Sequence, residues 1–340
     1  MDSIAVSTAR ERAELFLDTV EVHPLLSEAS LIEKDFWLCW VLSRLYSIEI
    51  GVSFLFKGGT SLSKAYPVIQ RLSEDIDLSI DRRDLGVSDP SEASSEKQRK
   101  KRIEALIDCS KKYISEVLLR MLLEDFSRIL GAPKESHDWK LELDPEDDQD
   151  QTILMKYPIT SVTPSLDGYV SPIIRLELGA RSDHWPSELR TIKPYAAEAF
   201  PQLFSSPSCV ATTLKAERTF WEKAVILHKT FHGGLARLKT RLARHYYDVH
   251  MLVKAQVAEE AIQQPEILKA VARHARIFFA QGWAKYEDAK PGTLRLVPNS
   301  EISSALESDY RDMKDLFFSE PPAFEEIVST ITEIEDQINQ

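Results

Sequence analysis

Residues Ser53–Asp81 read SFLFKGGTSLSKAYPVIQRLSEDIDLSID. Phe54, Leu55 and Phe56 form a short apolar run that stops at Gly58 and Gly59, the pattern of a buried strand ending where the backbone needs glycine's freedom. Thr60 or Ser61 is placed to cap a helix that runs to about Tyr66 and stops at Pro67. Beyond it, Asp75-Ile76-Asp77-Leu78-Ser79-Ile80 alternates polar with apolar. A strand there sets Asp75 and Asp77 on one face and turns Ile76, Leu78 and Ile80 to a core. Two adjacent carboxylates repel each other, and a divalent cation relieves the repulsion; magnesium takes such oxygen donors together with substrate phosphates. Backbone N–H groups from Gly58 to Ser61, opening a helix, suit phosphate oxygens. The stretch reads as a nucleotide site.

A chain of 340 residues with 43% apolar content can bury a sizeable core and has the length of two domains, or of one with a large extension. No run approaches the length of a membrane span, and the first residues, MDSIAVSTARERAELF, carry charges where a signal peptide is apolar. A cytoplasmic protein with no membrane partner is the expectation. Cys39, Cys109 and Cys209 are too few and too scattered for a disulfide framework or a zinc site. The formal charge of −12 argues against a protein coated in nucleic acid through a broad basic surface, but a local patch is compatible with it. Lys215 to His245 holds such an excess of Lys and Arg, readable as a solvated helix face or as an RNA contact.

Around the central stretch, the N-terminal segment to about Ser47 reads as helical, with Lys34 and Asp35 as exposed helix charges and Lys34 alternatively approaching the site. A basic cluster, Lys97 to Arg102, opens a helix that Gly131 ends. WKLELD and QTILMKYPI flank PEDDQD as a hairpin; the acidic tip lacks the glycine and closing glutamate of an EF-hand loop and reads as a solvated turn. In SPIIRLELGAR, Arg175, Glu177 and Gly179 share one strand face, which makes Glu177 a candidate third carboxylate; Glu142 in Leu141-Glu142-Leu143 has the same pattern. From about Cys209 helices dominate, the last of them near 258–282, 300–318 and 322–338. Ser73 is a candidate ligand contact or a turn former, Lys57 and Lys64 are within reach of phosphate or are ordinary surface charges, and Asp248 has a structural alternative in pairing with Arg244. His228, His232, His245 and His250 show no metal-ligand spacing.

FKGGTSLSK, RLSEDIDLSI, IIRLELGAR, ERTFWEKAVILHK and ARHYYDVHML, in this order over about residues 30 to 255, resemble the AbiEii/AbiGii toxin family of type IV toxin–antitoxin and phage-defence systems. The resemblance implies an α+β polymerase-β-like nucleotidyltransferase core with a mixed sheet and leading helices over residues 1–207. It also implies a helical C-terminal domain, 208–340, that contributes Lys223 and Asp248. Gly58, Gly59, Thr60 and Ser61 match the family's glycine turn, Asp75 and Asp77 its paired aspartates, Lys223 its helical lysine and Asp248 its later aspartate; Glu177 fits the third carboxylate. The implied activity moves a nucleoside monophosphate from an NTP, with Mg2+, to an acceptor such as the 3′ end of tRNA. The alternatives are transfer to a protein hydroxyl and a GTP-binding module that transfers nothing. A cognate antitoxin protein is the implied partner.

Overall fold

The alternation at Asp75–Ile80 is the centre of a sheet. The structure, a computed structural model, describes residues 1–26, 28–133, 139–162 and 171–340. These divide into two units: Met1–Ala65, Leu72–Ser88 and Glu104–Thr213 form the first, and Tyr66–Arg71, Asp89–Ile103 and Leu214–Gln340 the second. The elements up to the start of the second unit's main segment are, in chain order, α1 (Asp2–Ala5), α2 (Ala9–Val22), α3 (Ala29–Leu45), β1 (Phe54–Lys57), α4 (Gly58–Lys64), β2 (Asp75–Ile80), α5 (Glu96–Tyr113), α6 (Leu119–Leu130), β3 (Lys140–Leu143), β4 (Thr152–Lys156), β5 (Ile173–Gly179), β6 (Ser187–Ile192), α7 (Tyr195–Ala199) and β7 (Cys209–Leu214).

Among the described residues the sheet has seven strands in the order β3-β4-β5-β2-β1-β7-β6 and is mixed: β2 runs parallel to β5 and β1 to β7, while β1–β2 and β3–β4–β5 are antiparallel. The architecture is therefore α+β with a mixed sheet. Period-two patterning holds where it was read: Ile76, Leu78 and Ile80 are buried, and Ile174, Leu176 and Leu178 likewise.

Sequence patterning gave α3 one apolar face, yet the helix is buried nearly all round, packed by α2, α6, α7 and β5. Trp37 stacks on Tyr157 with ring centroids 5.9 Å apart, and Trp40 meets Phe126 at 4.7 Å. Rings of this size dominate core energetics, each side chain contributing about 1.5–3 kcal/mol. This packing corrects the reading of Lys34 and Asp35 as exposed charges. Lys34 is buried and its Nζ donates to Glu74 at 3.2 Å and to the Ser171 carbonyl at 3.1 Å, while Asp35 is buried against Lys64 at 2.7 Å.

In the second unit follow α8 (Ala216–Gly233), α9 (Ala243–Lys254), α10 (Val257–Ile262), α11 (Pro265–Phe278), α12 (Ser300–Asp312) and α13 (Phe324–Asn339). α8 packs against α9, α10 and α11, and α9 against α12 and α13. The helix expected over 258–282 is split, because Pro265 sits at the N1/N2 position of α11 and a proline there starts a helix rather than continuing one. The basic run from Lys215 is not a solvated face throughout: Arg218 and Lys223 are buried.

Candidate active site

The strand order β5-β2-β1 lines up three side chains on one face of the first unit's sheet. Asp77 pairs with Lys57 across β1 and with Glu177 across β5, and Asp75 pairs with Arg175. Directly opposed residues share a face. Lys57 Nζ lies 3.9 Å from Asp77 Oδ1 and Arg175 Nε 3.8 Å from Asp75 Oδ1, with a second Arg175 nitrogen on Asp144 at 2.5 Å. Both aspartate side chains are about a quarter exposed, at 28% for Asp77 and 25% for Asp75. Glu142, the other candidate carboxylate, is on β3, separated from β2 by β4 and β5, and it pairs with Lys140.

Glu177 feels this crowding. Partial desolvation, then the like charges of Asp77 and Asp75, push its pKa up to about 7 against an ordinary 4.5, with Arg175 and Lys57 opposing. Between these values the folded chain keeps a proton that the unfolded chain has released. Stability therefore falls as pH rises from about 4.5 to about 7. Glu177→Gln should remove that slope: melting curves of variant and wild type should lie close together at the low end of this window, with the variant melting higher at pH above it. A variant that melts lower than wild type on the alkaline side would contradict the charge crowding.

Gly58 is where the site tolerates no side chain. Its φ of +78° is costly for any other residue, and a Cβ built there would lie 1.9 Å from Asp77 Oδ2. Gly58→Ala therefore has to bear about 1–2 kcal/mol of backbone strain and displace the Asp77 carboxylate as well. Denaturant unfolding should register at least that loss; an alanine variant of wild-type stability would contradict the close approach.

The helix does not begin at a Thr60 or Ser61 cap. α4 starts on the glycines themselves, with Lys57 as the N-cap residue and no side-chain capping bond. Thr60 and Ser61 are buried inside its first turn, their hydroxyls committed to backbone acceptors: Thr60 Oγ1 donates to the Asp75 and Ser73 carbonyls, and Ser61 Oγ to Gly58 O at 2.9 Å. What this turn offers a ligand is backbone N–H, since first-turn N–H groups have no acceptor within the helix. Ser73 is half-buried just before β2. Lys64 does not join the row. Its ammonium is buried against Asp35 and 3.5 Å from the centre of the Tyr195 ring, which ties the end of α4 to α3 and α7.

The second unit holds a separate charged cluster. Lys223 Nζ on α8 donates to Asp248 Oδ2 at 2.7 Å, and Arg71 grips the same carboxylate through Nε and Nη2, both at 2.8 Å. Asp248 is fully buried. Burial alone would raise its carboxyl, but the Arg71 guanidinium and the Lys223 ammonium outweigh burial and hold it well below the usual carboxylate range. Burial lowers the Lys223 pKa even with Asp248 beside it. Arg71, rather than Arg244, is thus the arginine on Asp248. His228 is buried with its ring nitrogens on the Lys285 carbonyl and the Arg295 N–H, and His250 is buried on Thr330, consistent with structural histidines.

A family model described as "Nucleotidyl transferase AbiEii toxin, Type IV TA system" matches residues 40–330, a range that contains both clusters. The chain belongs to the AbiEii family. It is thereby a nucleotidyltransferase toxin of a type IV toxin–antitoxin system, a class that implies an NTP substrate and an antitoxin partner. Among solved structures, the nucleotidyltransferase toxin MenT4 of Mycobacterium tuberculosis H37Rv is similar at 12% identity, with 90% of this chain and 99% of that chain covered and a TM-score of 0.34. No curated protein matches. No helix among the described residues is long and apolar enough to cross a membrane.

AbiEii-type chemistry raises the question whether the carboxylate row suits a divalent cation. Its donors are all carboxylate oxygens on adjoining strands, with Lys57 and Arg175 as the cations beside them. Among the described residues, no three potential ligands are already gathered around one point. Magnesium does not require that: it is held by one or two carboxylates with water and substrate phosphates completing the shell. The donor set fits. Sequence reading missed Arg71, a cation bridged to Phe317 whose carboxylate partner lies 177 positions away, and it left the pairing of Arg175 with Asp75 unread.

Proposed function

We propose that this AbiEii-family chain is a magnesium-dependent enzyme of the cytoplasm that transfers a nucleoside monophosphate from an NTP to the 3′ end of tRNA, in toxin–antitoxin or phage-defence action. The observation that carries the reading is the row Lys57–Asp77–Glu177 beside a glycine whose missing side chain leaves room for the Asp77 carboxylate.

Asp75 and Asp77, with Glu177 as third donor, are the residues to hold Mg2+, which supplies charge neutralisation at the triphosphate and orientation of the reacting oxygens. The Gly58–Ser61 turn presents backbone N–H groups to phosphate, and Lys57 adds a half-buried cation next to Asp77. With the nucleotide held this way, the acceptor hydroxyl oxygen bonds to the α-phosphorus as the bond to the pyrophosphate oxygen breaks, and the hydroxyl proton is released to water. Lys223 is assigned to catalysis as well, its ammonium held by Asp248, which Arg71 also grips.

The test is transfer of α-labelled NTPs, each of the four in turn, to total tRNA and to protein acceptors resolved on one gel. Label on tRNA with pyrophosphate release is the expected result. Label on a protein alone moves the acceptor to a protein hydroxyl, and tight NTP binding without pyrophosphate release rejects the enzyme reading in favour of a binding module.

A further inference from the structure

The described surface of the second unit carries a groove of about 480 Å³ between α11 and the segment Tyr286–Pro291. Lys269, Arg273 and Arg276 line one wall, and Lys290 lines the groove with them. All four are exposed. The α11 cations recur at i, i+4 and i+7, so they stand one above another on a single helical face. Like charges in such a row destabilise a helix unless something neutralises them.

Elsewhere this chain dilutes its surface cations with carboxylates one turn away, as in Arg10–Glu14, Lys100–Glu96 and Arg120–Glu124. On the groove Arg273 and Arg276 have no carboxylate one turn away on α11, and Glu287 is the single carboxylate among the groove's lining residues. In a chain of net charge −12, four cations gathered against one carboxylate are a local inversion of sign. The floor is different in character. Leu268, Ala272 and Tyr286 are buried beneath the cations, giving an apolar base under a basic rim.

We propose that this groove binds the phosphate backbone of the acceptor RNA, which rests on the reading above that the acceptor is RNA. A basic rim over an apolar base suits a nucleic-acid strand: phosphates meet the Lys and Arg heads while sugar and base faces lie on the floor. The surroundings extend the same chemistry. A 3-10 turn at Pro90–Glu92 packs on α11, and Arg102 donates to the Asp89 carbonyl at 2.7 Å, which anchors the basic start of α5, Lys97 to Arg102, next to that turn. The basic run from Lys215, by contrast, sends Arg218 and Lys223 inward, which leaves α11 as the better platform.

The experiment is fluorescence anisotropy of labelled tRNA with the full chain, over a range of salt concentrations. The proteins are wild type, a groove variant carrying Lys269→Gln, Arg273→Gln and Arg276→Gln, the single variant Lys290→Gln, and a control carrying Arg311→Gln and Lys314→Gln at exposed positions of the same unit. The groove variant should bind tRNA at least about tenfold more weakly at low salt, and its dependence of log K on log salt should be shallower by about 2. Lys290→Gln should weaken binding in the same direction by less, and the control should match wild type. NTP binding, followed by calorimetry, should be unchanged in all of them. A groove variant that binds tRNA as wild type does, or a control that weakens binding equally, overturns the groove. Failure of the acceptor reading looks different: wild type then binds tRNA through the groove yet transfers no label to it. A wild type that binds no tRNA even at low salt overturns both.

Discussion

Asp77→Asn should lower nucleotidyl transfer by about a thousandfold or more while the chain stays folded. The exchange keeps the shape of the side chain, so the approach to Gly58 and the strand pairing with Lys57 and Glu177 are preserved. What disappears is one anionic oxygen donor at the centre of the row. Charge stabilisation at a phosphoryl-transfer site is worth several kcal/mol, and about 1.4 kcal/mol corresponds to a tenfold change in rate. A second readout needs no turnover. Burial is the larger cause of the Glu177 shift and Asp77 the leading like charge, so removing Asp77 should lower the Glu177 carboxyl from about 7 while burial keeps it above its ordinary 4.5, measurable by NMR titration of that side chain. Retained activity would remove Asp77 from the metal set, and an unchanged Glu177 titration would mean the two carboxyls do not interact.

The carboxylate row was legible because its chemistry is local. Glycine at 58 and alternating aspartates at 75 and 77 lie within one stretch, and period two decides which way a strand's side chains point without knowledge of its neighbours. Glu177 was legible only as one of two acidic residues on strand-like runs. The choice against Glu142 depends on strand order, which places Glu177 next to Asp77 and Glu142 on an outer strand, and no local pattern encodes strand order. Lys64 shows the opposite failure. A lysine near a glycine turn looks like a phosphate contact, but the aromatic and acidic partners that bury it, Tyr195 and Asp35, come from α7 and α3. The burial of α3 itself was missed because three-and-four spacing reports an apolar face, not how many neighbours a helix has.

Asp248→Ala should cost about 3–5 kcal/mol of stability, since it removes the buried carboxylate that the Lys223 ammonium and the Arg71 guanidinium share. Lys223→Met should cost less, about 2 kcal/mol or under, because Asp248 keeps both of its bonds to Arg71. The pair of variants separates packing from chemistry. If Lys223 is catalytic, Lys223→Met loses transfer by about a hundredfold or more while urea unfolding shows a folded chain; if its charge only completes the cluster, transfer follows stability and stays near wild type. Acid unfolding checks the carboxylate independently. A folded pKa held below the usual range contributes stability that is present above the ordinary carboxylate value near 3.8 and lost as pH falls through the lowered one. Wild type should therefore lose stability more steeply than Asp248→Asn below about pH 4, where the variant has no such contribution left to lose. Parallel acid profiles would mean that Asp248 is not the charged centre of its cluster, and the assignment of Lys223 would fall with it.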